Sequence, residues 1–151
     1  MPWYEYRHRV LLEDGNLVGN VYFARFPGWQ GRCRDAFLAE HAPQPADGPT
    51  LITTHCSCDY LAEATPGDQV SVRMRTVRLA RTLVTLGFEH WRLEAGGEAL
   101  LARGEERLAC VRRRPGEVEP AALPGTLRRA LERYTAYDGS EPYTAHDGSE
   151  R

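Results

Sequence analysis

The sequence predicts an α+β fold, one domain in which a five-stranded antiparallel sheet wraps around a long central helix, and three observations lead there. One strand-like run precedes a single substantial helical stretch, and four strand-like runs follow it. Alternation is sharpest where Val70, Val72 and Met74 stand against Ser71, Arg73 and Arg75, the pattern of a strand with one buried face. Turn residues at Pro66-Gly67-Asp68 and Ala95-Gly96-Gly97 separate the later runs closely enough for an antiparallel meander. A lone helix must bury its apolar stripe, and a curling sheet offers the surface.

Taken in order, Trp3 to Leu12 mixes aromatic, β-branched and charged residues with partial alternation, as in a strand with one wet face. Gly15 to Gly19 reads as a loop, and Pro27-Gly28 is expected to break the chain again, with a short helical turn between the two breaks. From Trp29 the residues Cys33, Ala36 and Phe37 follow helical spacing until Pro43 stops them. The proline-rich stretch from Pro43 to Pro49 reads as an exposed linker. Thr50–Leu61, Gln69–Leu79, Thr82–Glu94 and Glu98–Arg112 then read as strands. Leu127, Ala130, Leu131 and Tyr134 predict a short terminal helix, packed on the body or on a partner. The domain is expected to span residues 1–135. Residues 136–151 are expected to be a disordered tail, carrying most of an eight-residue repeat in which Tyr134 to Glu141 returns as Tyr143 to Glu150.

Composition narrows the function classes. A chain of 151 residues with a formal charge of -2 offers no polyanion-binding surface, so nucleic acid is not an expected partner. No run of about 18 apolar residues occurs, and the N-terminal segment has no signal-peptide core, so a cytoplasmic protein without a membrane partner is expected. Cys33, Cys56, Cys58 and Cys110 match no metal-binding spacing, and no metal or cofactor is expected. A cysteine nucleophile, with Cys33 or Cys56 served by His41 or His55, is the weaker reading beside small buried thiols.

The chemistry is concentrated in Glu13-Asp14-Gly15-Asn16-Leu17-Val18-Gly19-Asn20-Val21-Tyr22-Phe23, followed closely by Trp29-Gln30-Gly31-Arg32-Cys33-Arg34. This segment resembles the active-site region of hot-dog thioesterases of the 4-hydroxybenzoyl-coenzyme A thioesterase superfamily, and more specifically the thioesterases of enediyne polyketide biosynthesis. In that superfamily a carboxylate usually stands where Asn16 stands, or a glutamate projects from the helix where this chain has Gly31. The resemblance therefore implies a thioesterase lacking its acid.

It also implies roles. Asn16 would orient water or donate to the oxyanion, since an amide is no base at neutral pH; the competing reading is a turn asparagine capping its own backbone. Arg34 corresponds to a functional arginine of the enediyne group, against the plainer role of an ion pair with Asp35 or Glu63. Phe23 would act through its backbone N–H at the start of the helix. Gly19, Asn20, Tyr22, Phe26 and Trp29 are candidate substrate contacts, each equally open to a turn or core role. Enediyne members can carry tyrosine where this chain has Phe26, so a hydroxyl is missing. Glu13 and Asp14 are the nearby acids that could substitute for the absent base.

The expected function is hydrolysis of a polyunsaturated, β-keto polyketide chain from the phosphopantetheine arm of a synthase carrier domain, by direct water attack. The resemblance further implies a homotetramer, a dimer of dimers, with each site shared between two chains. A hot-dog dehydratase would need a histidine in the segment, and His55 and His90 fall in strands instead. A non-hydrolytic acyl-binding or carrier-docking protein, and a general acyl-CoA thioesterase, are the remaining alternatives.

Overall fold

A computed structural model describes residues 2–135, and the tail expected over residues 136–151 lies outside the described residues. The elements run β1 (Tyr4–Arg9), α1 (Arg25–His41), β2 (Thr50–Tyr60), β3 (Gln69–Leu79), β4 (Leu83–Glu94), β5 (Gly97–Arg114), β6 (Glu117–Pro120) and α2 (Gly125–Glu132), with a short 3-10 turn at Leu12–Asp14. The sheet has six strands, in the order β1-β3-β4-β5-β2 with β6 added on β5, and every pairing is antiparallel. The expected count of five is corrected by β6. That strand is four residues long and exposed throughout, so no apolar alternation announces it. Strand one also ends earlier than expected, at Arg9.

The helix begins four residues before Trp29. Pro27 and Gly28 lie inside its first turn, where proline gives up an N–H that has no intrahelical partner anyway. The expected separate turn thus merges into α1. Phe26, Trp29, Gln30, Cys33 and Phe37 form its buried stripe, and it packs against β1, β3, β2 and β5. Its C-terminal cap is the Ala42 N–H donating to Leu38 O at 3.0 Å, just before Pro43.

Register decides what lies beneath the helix. Tyr6, Val72, His90, Ala102 and Tyr60 form one row across the sheet, Tyr4, Met74, Phe88, Gly104 and Cys58 the next, and Thr76, Leu86, Glu106 and Cys56 a third. Val72, Ala102, Met74, Phe88 and Leu86 of these rows are apolar and buried, and His90, Thr76 and Glu106 are polar groups buried among them. The terminal helix packs on the body: Leu127, Ala130 and Leu131 are buried, Thr76 N–H donates to Tyr134 O, and Tyr134 meets the edge of Phe37 at 5.7 Å.

Candidate active site

The 13–24 segment is tied down from several sides. Asp14, buried at the end of the 3-10 turn, accepts from Leu11 N–H at 2.9 Å and from His8 Nε2 at 3.1 Å. These bonds hold its carboxyl below the ordinary range against the opposing effect of burial. Asp14 O accepts from Tyr22 N–H, and Arg25 Nη2 reaches back to Glu13 O. Asp14 is thereby committed to the scaffold.

Asn16 is exposed and closes a tight turn. Its Oδ1 accepts from Val18 N–H at 3.0 Å, and its carbonyl accepts from Gly19 N–H at 3.1 Å. This is the local backbone cap that asparagine favours, and it leaves the amide –NH2 without a partner among the described residues. Gly19 adopts φ +89°, a left-handed conformation, and nothing lies within 4 Å of a Cβ built there. The turn, rather than a close approach, accounts for glycine at this position.

Phe23 and Ala24 lead directly into α1. The N–H of Phe23 has no hydrogen-bond partner among the described residues, while its carbonyl accepts from Phe26 N–H and from Tyr60 Oη at 2.8 Å. Beside it opens a cavity of about 220 Å³ whose lining includes Asn20, Phe23, Phe26, Tyr60, Glu63 and Ala64. An unengaged N–H at a helix start, next to an apolar cavity, is suited to bind a carbonyl that gains negative charge. Asn20 Nδ2 donates to Glu63 Oε1 at 3.1 Å, and its buried Oδ1 is unpaired among the described residues. Phe26 is shared between the cavity and the core. Tyr22 packs at a tilt against Phe23, ring centroids 4.8 Å apart, and is half exposed; Trp29 is buried between His8 and Phe26, each at 4.8 Å.

Arg34 lies elsewhere in the same chain. Nine residues of helix separate it from Arg25, about 13 Å of axial rise. Its Nε donates to Asp35, and its Nη1 to Thr53 Oγ1 at 3.3 Å and to both oxygens of Glu106 at 3.2 and 3.3 Å. Glu63, the other expected partner, binds Asn20 instead. Glu106 is buried, and burial raises its carboxyl above the ordinary range although Arg34 pulls the other way. Sequence reading passes over this residue, because Glu105-Glu106-Arg107 looks like a wet strand segment; only the pairing of Glu106 with Leu86 turns it inward.

A second buried polar group sits further toward the helix start. His90 Nε2 donates to Gln30 Oε1 at 3.0 Å, and Gln30 Nε2 donates to Ser57 O at 3.4 Å. Burial depresses the imidazole to about 3, so it stays neutral. Cys33 is fully buried with its thiol pushed up to about 12 by burial, which removes the thiolate a nucleophile needs. Cys56 is exposed on β2, and its thiol too is shifted upward.

This hot-dog-like α+β fold sets a helix start open beside an apolar cavity, an arrangement suited to an acyl thioester. The chain belongs to the thioesterase-like superfamily, whose family model matches residues 10–131, and it is a thioester hydrolase. Within that class it is 44% identical to the Dynemicin thioesterase, known from crystal structures of polyene binding, with a TM-score of 0.86 over 90% of this chain and 99% of that one. A 1,4-dihydroxy-2-naphthoyl-CoA thioesterase from Synechocystis shares the fold at 22% identity and a TM-score of 0.77, over 93% of this chain and 100% of that one. So does the 4-hydroxybenzoyl-CoA thioesterase from Pseudomonas sp. strain CBS-3, at 13% identity and 0.76, over 86% and 99%. No curated protein sequence matches the chain.

Proposed function

We propose that this chain hydrolyses a polyunsaturated, β-keto polyketide acyl chain from the phosphopantetheine arm of an enediyne-type synthase carrier domain, in the cytoplasm and without a catalytic carboxylate. The observation that carries the reading is the 44% identity to the Dynemicin thioesterase, whose crystal structures concern polyene binding. The acyl carbonyl would sit against the free Phe23 N–H, with the Asn16 amide as second donor or water-orienting group, and water would attack directly. Arg34 would stabilise the oxyanion or the released carboxylate. Gly19 shapes the loop, while Asn20, Tyr22, Phe26 and Trp29 would build or back the acyl channel.

In this reading the sheet curls around α1, and each site is shared between two chains of a homotetramer, a dimer of dimers. Two features support the sharing. Arg34 stands about 13 Å along the helix from the Phe23 end, and it faces β2, an edge strand of 11 residues with mostly exposed side chains. A second copy paired edge to edge along β2 would bring its own helix start toward this Arg34.

The test is a β-keto polyenoyl thioester of pantetheine, with free acid and methyl ketone measured by mass spectrometry. Wild type releases acid, and Asn16→Ala and Arg34→Ala each lower kcat by about 10²-fold, the usual loss for one oxyanion donor. Absence of turnover in wild type, or variants indistinguishable from it, would sink the proposal.

A further inference from the structure

Glu106 is the one carboxylate with its oxygens on Arg34 that solvent hardly reaches: its side chain is 3% exposed, against 69% for Asp35. Enclosed in this way, it cannot meet an attacking water, so it is no hidden general base. Nor does stability explain it well. A buried ion pair gains little over apolar residues of similar volume, and the row that holds Glu106 contains Leu86 and Thr76, positions where an aliphatic side chain would pack.

What the pair does accomplish is geometric. Nη1 of Arg34 is bound by Glu106 and Thr53, and Nε by Asp35. Nη2 has no partner among the described residues, and it lies over Gly31, where a built Cβ would come to 3.5 Å of it. A longer side chain at position 31 would cover that nitrogen. With glycine there, Nε and Nη1 of the guanidinium are held while Nη2 is left uncovered.

We propose that Glu106 is a positioning residue for thioester hydrolysis: by pinning Nη1 of Arg34 it presents Nη2, uncovered above Gly31, as the site that receives the oxyanion or the carboxylate produced by hydrolysis. The inference rests on the role given to Arg34 above. A guanidinium free to turn would lose the alignment on which electrostatic preorganisation depends. The groups facing Glu106 are Arg34, Asp35 and Cys33 on α1, Thr53 and Cys56 on β2, and apolar Leu86 on β4. Arg34 is the only cation among them, so Glu106 acts through it.

The experiment compares full-length wild type, Arg34→Ala, Glu106→Gln and the double variant on the same pantetheine thioester at pH 8. Glu106→Gln is expected to lower kcat about 10-fold with KM within about twofold, because binding of the acyl chain is untouched. In the Arg34→Ala background the same substitution should change kcat by less than about twofold, since nothing is left to position. If Glu106→Gln keeps wild-type kcat, or lowers kcat about 10-fold in both backgrounds, the positioning role is overturned. If Arg34→Ala itself is wild type, the failure belongs to the functional reading instead. Should Glu106→Gln not fold, Glu106→Asp, which draws the carboxylate back by one methylene, is judged by the same two criteria.

Discussion

Replacing Gly104 by alanine tests the packing beneath α1. A Cβ on Gly104 would overlap Gln30 Oε1 outright and crowd the rest of that amide. Gln30 is fully buried and has no free direction to retreat, since Ser57 O and His90 Nε2 hold its two ends. If it is displaced, His90 loses its partner at Nε2, and Nδ1 already has none among the described residues. Overfilling a packed site costs about 1–3 kcal/mol, and stranding a buried polar group adds about 1–3 kcal/mol. The midpoint of the sum is about 4 kcal/mol. For a domain of this size each kcal/mol shifts Tm by about 2–4 °C, so Gly104→Ala should unfold at least about 8 °C below wild type in thermal scans followed by circular dichroism. Adding Gln30→Ala should cost less than its effect alone, because the space is then free. Equal Tm values for wild type and Gly104→Ala would refute the reasoning.

Two pH-dependent predictions follow from the other buried groups. His90 titrates near 3 in the fold and near 6.5 when unfolded, so between these values the unfolded chain binds the extra proton. Its contribution to stability is complete above pH 6.5 and declines by about 1.4 kcal/mol per unit below it; in urea titrations the decline from pH 6 to 4 should be shallower in His90→Gln than in wild type. For Glu106 the sign is opposite. Its folded carboxyl is raised, so an ionised Glu106 without Arg34 burdens the fold at high pH and the burden lifts as pH falls. Arg34→Ala should therefore lose about 3 kcal/mol at pH 8, lose less at pH 5, and regain stability when Glu106→Gln is added; a loss independent of pH would contradict this.

Local pattern carried much of the fold. The range of β3, the presence of a short terminal helix, the β4–β5 hairpin at Gly96 and the end of α1 before Pro43 were all readable, because alternation, helical spacing and turn residues act over a few positions. The turn at Asn16 was readable too, as one of two stated roles, since its side chain bonds a backbone two residues away. The start of α1 was misread because Pro27 breaks a helix interior but is at ease in a first turn.

By itself, then, the sequence determined the strand and helix periodicities, the class of the protein and the loop in which Asn16 and Phe23 lie. Tertiary structure alone decided which of two adjacent glutamates faces the core, that Gly104 makes room for Gln30, and that Arg34 is held at Nε and Nη1 while Nη2 has no partner among the described residues. Those outcomes depend on strand register and on helix placement over the sheet, contacts made between residues far apart in the chain, 72 positions for Arg34 and Glu106. No local pattern in the chain encodes a pairing at that distance.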